Sequence, residues 1–537
     1  MLTKTLSAAV HGIDAIGVTI EVSIGRGVGT TIVGLPDMAV KESNERVKCA
    51  IAQAGFDFPR QAVVINMSPA DIKKEGSAYD LPIAIGILAS DEKIDDALLS
   101  RYMIMGELSL DGSVRPIKGA LPMAILAREM HLDGFIVPAD NAMEAAIVNN
   151  LNVYGVNKLD EVIAFLNGMI QLEPTVVDTR AEFAKAQGEF PFDFSEVRGQ
   201  EQVKRAFEVA CAGGHNILLI GSPGSGKSMM SKRLPSILPS LSLSEALETT
   251  KIHSVAGKLS KGTTLLTMRP FRSPHHTISP VALVGGGTYP MPGEISLAHN
   301  GVLFMDELPE FPRSVLEVLR QPLEDRVITI SRAKYSTEYP ASFMLVASMN
   351  PCPCGYYGHP KKPCVCTDYQ RSQYMNRISG PLLDRIDLQI QVQPVEFDEM
   401  SSKQPAESSQ AIRERVIQAR AIQELRFKNE RGIYCNAQMT PTLLHKYAEP
   451  DAAGLEKLRD AMERMNMSAR AYDRILNPNQ SLGRRQVVFY GLLCHNSFIL
   501  ASCCRYCGSP DKRCGQIVVE SRKMPIFAAW KRQYMNN

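Results

Sequence analysis

Eight consecutive residues, Gly221, Ser222, Pro223, Gly224, Ser225, Gly226, Lys227 and Ser228, have the form G-x-x-x-x-G-K-[ST], the phosphate-binding loop called Walker A. Its glycines let backbone N–H groups converge on phosphate oxygens without Cβ clashes. A helix that starts at such a loop turns its positive end toward the anion. Lys227 is placed to reach the β- and γ-phosphates of ATP, and Ser228 to hold Mg²⁺. Gly301–Glu307 is an apolar run that ends in two acids, the Walker B form. Asp306 is expected in the Mg²⁺ shell, and Glu307 is expected to polarise the water that attacks the γ-phosphate. Two acids after an apolar run say little alone. Downstream of a full Walker A they gain force, because both motifs can lie on strands of one sheet.

Other residues suggest further chemistry. Cys352 and Cys354, then Cys364 and Cys366, form two close pairs on either side of a short loop. Four thiolates can close a tetrahedral Zn²⁺ site, although C-x-C is a less common spacing than C-x₂-C. Four free thiols is the alternative. Residues 326–340 alternate like a β-hairpin, with Arg332 and Lys334 near the tip, where they could meet nucleic-acid phosphates. A solvated hairpin gives the same pattern. His275 and His276 are adjacent and would point apart on a strand, so a turn or packing role is expected rather than metal binding.

The elements that must position these groups follow from periodicity. The apolar run 216–220 before the loop reads as a buried strand, and 229–234 after it as the start of a helix. A further buried strand, Phe343–Asn350, ends in a polar residue. Residues 1–170 mix short strands (18–24, 27–36, 62–67, 134–138) with helical spacing at 41–55, 81–88 and 122–130, and 102–115 reads as a hairpin with an Asp-Gly turn. That pattern predicts an α+β domain. Residues 171–195 carry prolines and charge with little periodicity and read as a linker, 196–395 as a P-loop α/β core, and 396–476 as a largely helical unit. With 537 residues, 45% hydrophobic and 22% charged, the chain has the composition of a two- to four-domain globular protein. The net charge of +2 neither favours nor excludes nucleic acid. No signal peptide and no membrane span is expected, which predicts a cytoplasmic protein whose 12 cysteines serve as metal ligands or free thiols.

Several stretches resemble known families. Asp71–Pro82 with Gly106–Gly119 looks like the proteolytic domain of Lon, a ribosomal S5 domain 2-like fold that uses a Ser–Lys dyad. The dyad positions fall near Ala78 and Leu121. Ser77 and Lys118 are out of register, so the resemblance implies the fold without protease activity, and a role in packing or partner binding. Asn350 fits sensor 1 of the AAA+ family, which orients the attacking water; an Asn in a turn before Pro351 is the alternative. Gly380–Asp387 resembles the segment carrying the AAA+ arginine finger, supplied by a neighbouring subunit, with Arg385 first and Arg377 second as candidates. A structural Arg385 paired to Asp384 or Asp387 is the other reading. Ser468–Arg474 resembles the sensor 2 helix of the lid, with Arg470 reaching the γ-phosphate. The segments 268–301 and 326–340 resemble insertions of the magnesium-chelatase-like branch, and such hairpins line the pore of related ring helicases.

Across residues 1–476 the motif order is similar to the YifB/ComM competence proteins, often labelled magnesium-chelatase-like ATPases. The resemblance implies a hexameric motor using ATP and Mg²⁺ that binds DNA and drives branch migration in recombination during natural transformation. The alternative is a chelatase-like motor that remodels a protein or metallocofactor partner; a non-hydrolysing, nucleotide-gated scaffold is a third reading. After Leu476 the chain departs from the family. Pro478 breaks the helix, and 477–537 is rich in Lys, Arg and Cys, with Asp511 and Glu520 its only acids. The shift suggests a frameshifted or replaced tail.

Overall fold

The computed structural model describes residues 2–180, 183, 190–260, 262–287, 290–332, 335–395, 406–430, 432–448, 450, 452–465, 472, 473 and 476. The divergent tail and Arg470 lie outside the described residues. The chain forms a mixed α/β structure whose two main sheets come from separate stretches of sequence.

The first sheet has seven strands, ordered Thr30–Val33, Ala62–Ser68, Asp14–Gly25, Leu2–His11, Tyr102–Ile104, Gly134–Pro138 and Asn152–Val156. Its two longest strands pair antiparallel from Leu2↔Ser23 to His11↔Asp14. The helix Met38–Gln53 buries Val40, Val47, Ala50 and Ile51, a helical spacing that gives it one apolar face. Asp37 caps it, accepting from the Val40 N–H at 2.8 Å. The helix Asp80–Ser90 is buried along its whole length. Its Asp80 carboxylate is held by Arg46 Nε at 2.7 Å and Nη2 at 3.0 Å, and burial pushes its pKa up against that pull. The expected hairpin 102–115 divides in two. Tyr102–Ile104 joins the main sheet in parallel, and only Glu107–Leu108 and Val114–Arg115 pair across the Asp-Gly turn. Part of the expected linker lies against this sheet, with the Thr175 N–H on the Val153 carbonyl at 2.7 Å.

The second sheet is five-stranded and parallel, ordered Phe271–Arg272, Val302–Met305, Met344–Met349, Ile217–Gly221 and Leu388–Val392. Its inner strands Ile217–Gly221, Val302–Met305 and Met344–Met349 are almost wholly apolar and buried, whereas the edge strand Leu388–Val392 alternates with glutamines. The helix Leu243–Val255 joins the two halves of the molecule. Leu241, Ala246 and Leu265, all from the stretch between the Walker motifs, are buried in the core of the first sheet. Lys251 pairs with Asp14 at 2.7 Å, the Gly119 N–H donates to the Ser254 carbonyl, and the Ser254 hydroxyl donates to Glu144. Beyond residue 405 the structure is helical, with Ser409–Phe427, Pro441–Tyr447 and Ala452–Met465. Among the described residues no helix is long and apolar enough to cross a membrane.

Candidate nucleotide-binding site

The strand Ile217–Gly221 and the helix Lys227–Ser231 flank the loop. Gly224 and Gly226 take φ of +78° and +88°, values that β-carbon-bearing residues adopt only under strain. Lys227 is 8% exposed, and its ammonium donates to the Gly221 carbonyl at 2.8 Å, the Ser222 carbonyl at 3.0 Å and Asn350 Oδ1 at 3.3 Å. Burial holds its pKa below the usual lysine range, opposed by the charges of Asp306 and Glu307. Ser225 Oγ is buried inside the loop without a hydrogen-bond partner. An orphaned buried hydroxyl in this loop is a donor that a phosphate oxygen would satisfy.

The strand order brings the motifs together. Met344–Met349 lies between the Walker A and Walker B strands, so Asn350 leaves the sheet between Lys227 and the acids. Ser228 Oγ donates to Asp306 Oδ2 at 2.6 Å. A hydroxyl and a carboxylate converging in this way suit Mg²⁺, a hard cation that takes oxygen ligands. The other oxygen, Asp306 Oδ1, accepts from the Glu307 N–H at 3.1 Å and from the Ser348 hydroxyl. Glu307 is exposed and sits at φ +54°, a left-handed conformation costly for a glutamate.

Sequence reasoning missed Ser348. It is one polar residue in an apolar strand, yet the register Met305↔Ala347 sets it beside Asp306. Asn216 was missed too. Its side chain accepts from the Leu345 N–H at 2.9 Å and donates to the Arg385 carbonyl at 2.8 Å, tying the Arg385 segment to the sheet.

The Arg385 guanidinium is bonded to Glu324 and to the Pro381 carbonyl at 2.7 Å, so its ion-pair partner is neither Asp384 nor Asp387. Arg377 is more exposed and pairs with Glu310 at 2.9 Å. The expected hairpin exists, with Val327–Arg332 antiparallel to Tyr335–Pro340, but Lys334 and the Arg332 side chain lie outside what is described. His275 and His276 do not point apart. They sit in a loop with ring centroids 4.1 Å apart, because the alternation of a strand is absent there. The Ser77 hydroxyl donates to Glu107, and Lys118 packs its carbon chain at Gly257, so the described residues do not bring Ser77 and Lys118 together as a dyad.

Comparison with known proteins agrees with this geometry. Residues 193–400 match the family described as magnesium chelatase, subunit ChlI; residues 20–141 match subunit ChlI of Mg-chelatase; and residues 406–481 match its C-terminal family. Competence protein ComM of Haemophilus influenzae is 41% identical over 491 residues, covering 90% of this chain and 94% of that protein. YifB of Escherichia coli, an uncharacterized protein, is 42% identical over 475 residues, 87% of this chain and 90% of its own. The magnesium-chelatase 38 kDa subunit of Cereibacter sphaeroides is 26% identical over 180 residues, 30% of this chain and 53% of that subunit. Likeness over nearly the full length, together with a phosphate loop, an Mg²⁺-ready acid and a polar strand end on one parallel sheet, makes this chain a member of the YifB/ComM family of magnesium-chelatase-like AAA+ ATPases.

Proposed function

We propose that the chain is a cytoplasmic, hexameric motor that spends ATP to move on DNA, migrating branches during recombination of incoming DNA. The observation that carries this reading is the 41% identity to competence protein ComM over 94% of its length. The hairpin at 327–340, whose sequence carries Arg332 at the end of its first strand and Lys334 between its two strands, supports a contact with the DNA backbone.

The residues take the following parts. Lys227 exchanges its carbonyl and Asn350 acceptors for β- and γ-phosphate oxygens, and the backbone from Gly221 to Ser228 encloses the phosphates. Ser228 and Asp306 would hold Mg²⁺, which would supply positive charge against the phosphates. Glu307, exposed and held at positive φ, orients and polarises the attacking water, with Asn350 as second contact. Arg385 reaches the site of a neighbouring subunit, which requires it to leave Glu324 and the Pro381 carbonyl. Arg470 serves the lid. Cys352, Cys354, Cys364 and Cys366 bind zinc.

The test is unwinding of branched DNA and DNA-stimulated ATP turnover, with Lys227→Ala as control. Stimulation by DNA in the parent chain, lost in the variant, is expected. Equal activity in both refutes the motor, and absence of DNA binding and stimulation retires the helicase. A second reading, a motor acting on a protein or metallocofactor partner, draws on the partial likeness to the magnesium-chelatase subunit. ATP turnover indifferent to DNA would favour it.

A further inference from the structure

The four cysteine sulfurs lie within 4.8 Å of one another, just beyond Asn350. Cys352 Sγ is 3.3 Å from Cys354 Sγ and 3.6 Å from Cys364 Sγ, and Cys354 Sγ is 3.6 Å from Cys364 Sγ. These gaps are far longer than a disulfide bond of about 2.0 Å. They approach the sulfur spacing of about 3.8 Å that four Zn–S bonds of about 2.3 Å impose on a tetrahedron. Two outer donors already face the sulfurs: the Cys354 N–H at 3.4 Å from Cys366 Sγ, and Arg371 Nη1 at 3.9 Å from Cys364 Sγ. Such donors commonly steady thiolate ligands.

The segment carrying these cysteines has little else to order it. No helix or strand lies between Met349 and Asp368, and from 351 to 367 only Pro351, Cys352 and Gly355 are buried. Apolar burial is too slight there to offset the entropy of fixing the backbone, whereas metal binding can supply folding energy. The same turn rests on the phosphate loop. Gly355 sits at φ +82°, and a Cβ at that position would stand 2.5 Å from Pro223 Cδ and 2.7 Å from Pro223 Cγ. One face of Pro223 therefore meets bare backbone of the cysteine turn, while Asn350, immediately before that turn, bonds Lys227 at 3.3 Å.

We propose that the thiolate centre is a clamp on the nucleotide site: zinc bound by Cys352, Cys354, Cys364 and Cys366 fixes Gly355, and through it Pro223 and Asn350, so that ATP affinity depends on a metal that never touches ATP. The clamp rests on the zinc reading above, and the experiment separates the two.

Zinc content of the purified full-length chain comes first, by atomic absorption, with about one ion per chain expected. Absence of stoichiometric zinc rejects the zinc reading and the clamp with it. Binding of a fluorescent ATP analogue is then titrated in excess Mg²⁺, before and after removal of zinc by a zinc-selective chelator. Affinity should weaken by about tenfold and return on adding zinc back, with far-UV circular dichroism unchanged. Gly355→Ala provides a variant with all four ligands intact. It should retain its zinc and still lose about tenfold in affinity, because its Cβ must displace Pro223. If zinc removal also unfolds the chain, this variant decides. A folded zinc-free chain, or a zinc-loaded Gly355→Ala chain, that binds the analogue as tightly as the parent overturns the clamp and leaves the zinc reading standing.

Discussion

Ser348→Ala removes a hydroxyl that joins Asp306 to the Glu307 backbone at the centre of the site. Ser348 is fully buried, donates to Asp306 Oδ1 and lies 3.4 Å from the Glu307 N–H. Alanine keeps the Cβ and opens no sizeable cavity, so the loss is electrostatic. A hydrogen bond to a charged group contributes about 1.5–3 kcal/mol. Asp306 retains Ser228 Oγ and the Glu307 N–H, which recover part of that. The remainder, about 1 kcal/mol, should appear when the carboxylate is oriented for Mg²⁺, raising the half-saturating Mg²⁺ concentration of ATP turnover about fivefold. The assay is a Mg²⁺ titration of turnover at saturating ATP, run as a double-mutant cycle with Asp306→Asn. In the Asp306→Asn background the hydroxyl no longer faces a full charge, so the second substitution should cost less than half as much. Equal costs in both backgrounds, or an unmoved titration in the single variant, would refute the idea that Ser348 acts through Asp306.

Asn216→Ala removes the bonds to the Leu345 N–H and the Arg385 carbonyl, and should destabilise the chain by about 2–3 kcal/mol, read as a lower denaturant midpoint. An unchanged midpoint sinks the view that Asn216 ties the Arg385 segment to the sheet. Glu75→Gln addresses pH. Burial raises Glu75 from an ordinary value of 4.5 to about 7, with Lys73 pulling the other way from 3.6 Å. The folded chain therefore holds that proton more tightly than the unfolded chain. The associated stability is fully present below pH 4.5 and is lost as pH rises through 7. The glutamine variant should flatten the stability profile over that window and exceed the parent at pH 8; no gain at pH 8 excludes the burial explanation.

The phosphate loop and the two acids were legible because their function requires fixed residues at fixed local spacing, which one stretch of chain displays in full. Most strands and helices of the first sheet were legible for a similar reason, since Val47, Ala50 and Ile51 or the apolar run at 134–138 carry their periodicity on their own. Ser348 was not legible, because its meaning depends on the register between two strands about 40 residues apart, and nothing near it in sequence records that pairing. The helix Leu243–Val255 was equally opaque. It buries Thr249, Thr250 and Ser254 beside Ala246 and Ile252, so no apolar stripe announces which face is covered. The histidine pair was legible as a turn with a packing role, because adjacent residues cannot share one face of a strand, and the two rings do pack together at a turn.

That same helix limits how the molecule can be divided. A chain begun near residue 190 would keep both Walker motifs but expose Leu241, Ala246 and Leu265, whose cover is the first sheet. It would also separate Lys251 from Asp14 and Ser254 from Glu144. The first 156 residues alone would be left with the matching hollow on their own core. Each half completes the other's interior, so the boundary that looks clean along the sequence is not a plane of cleavage in the folded molecule. Any shift of the segment between the Walker motifs is delivered to the first sheet through packed side chains, without a flexible tether to absorb it.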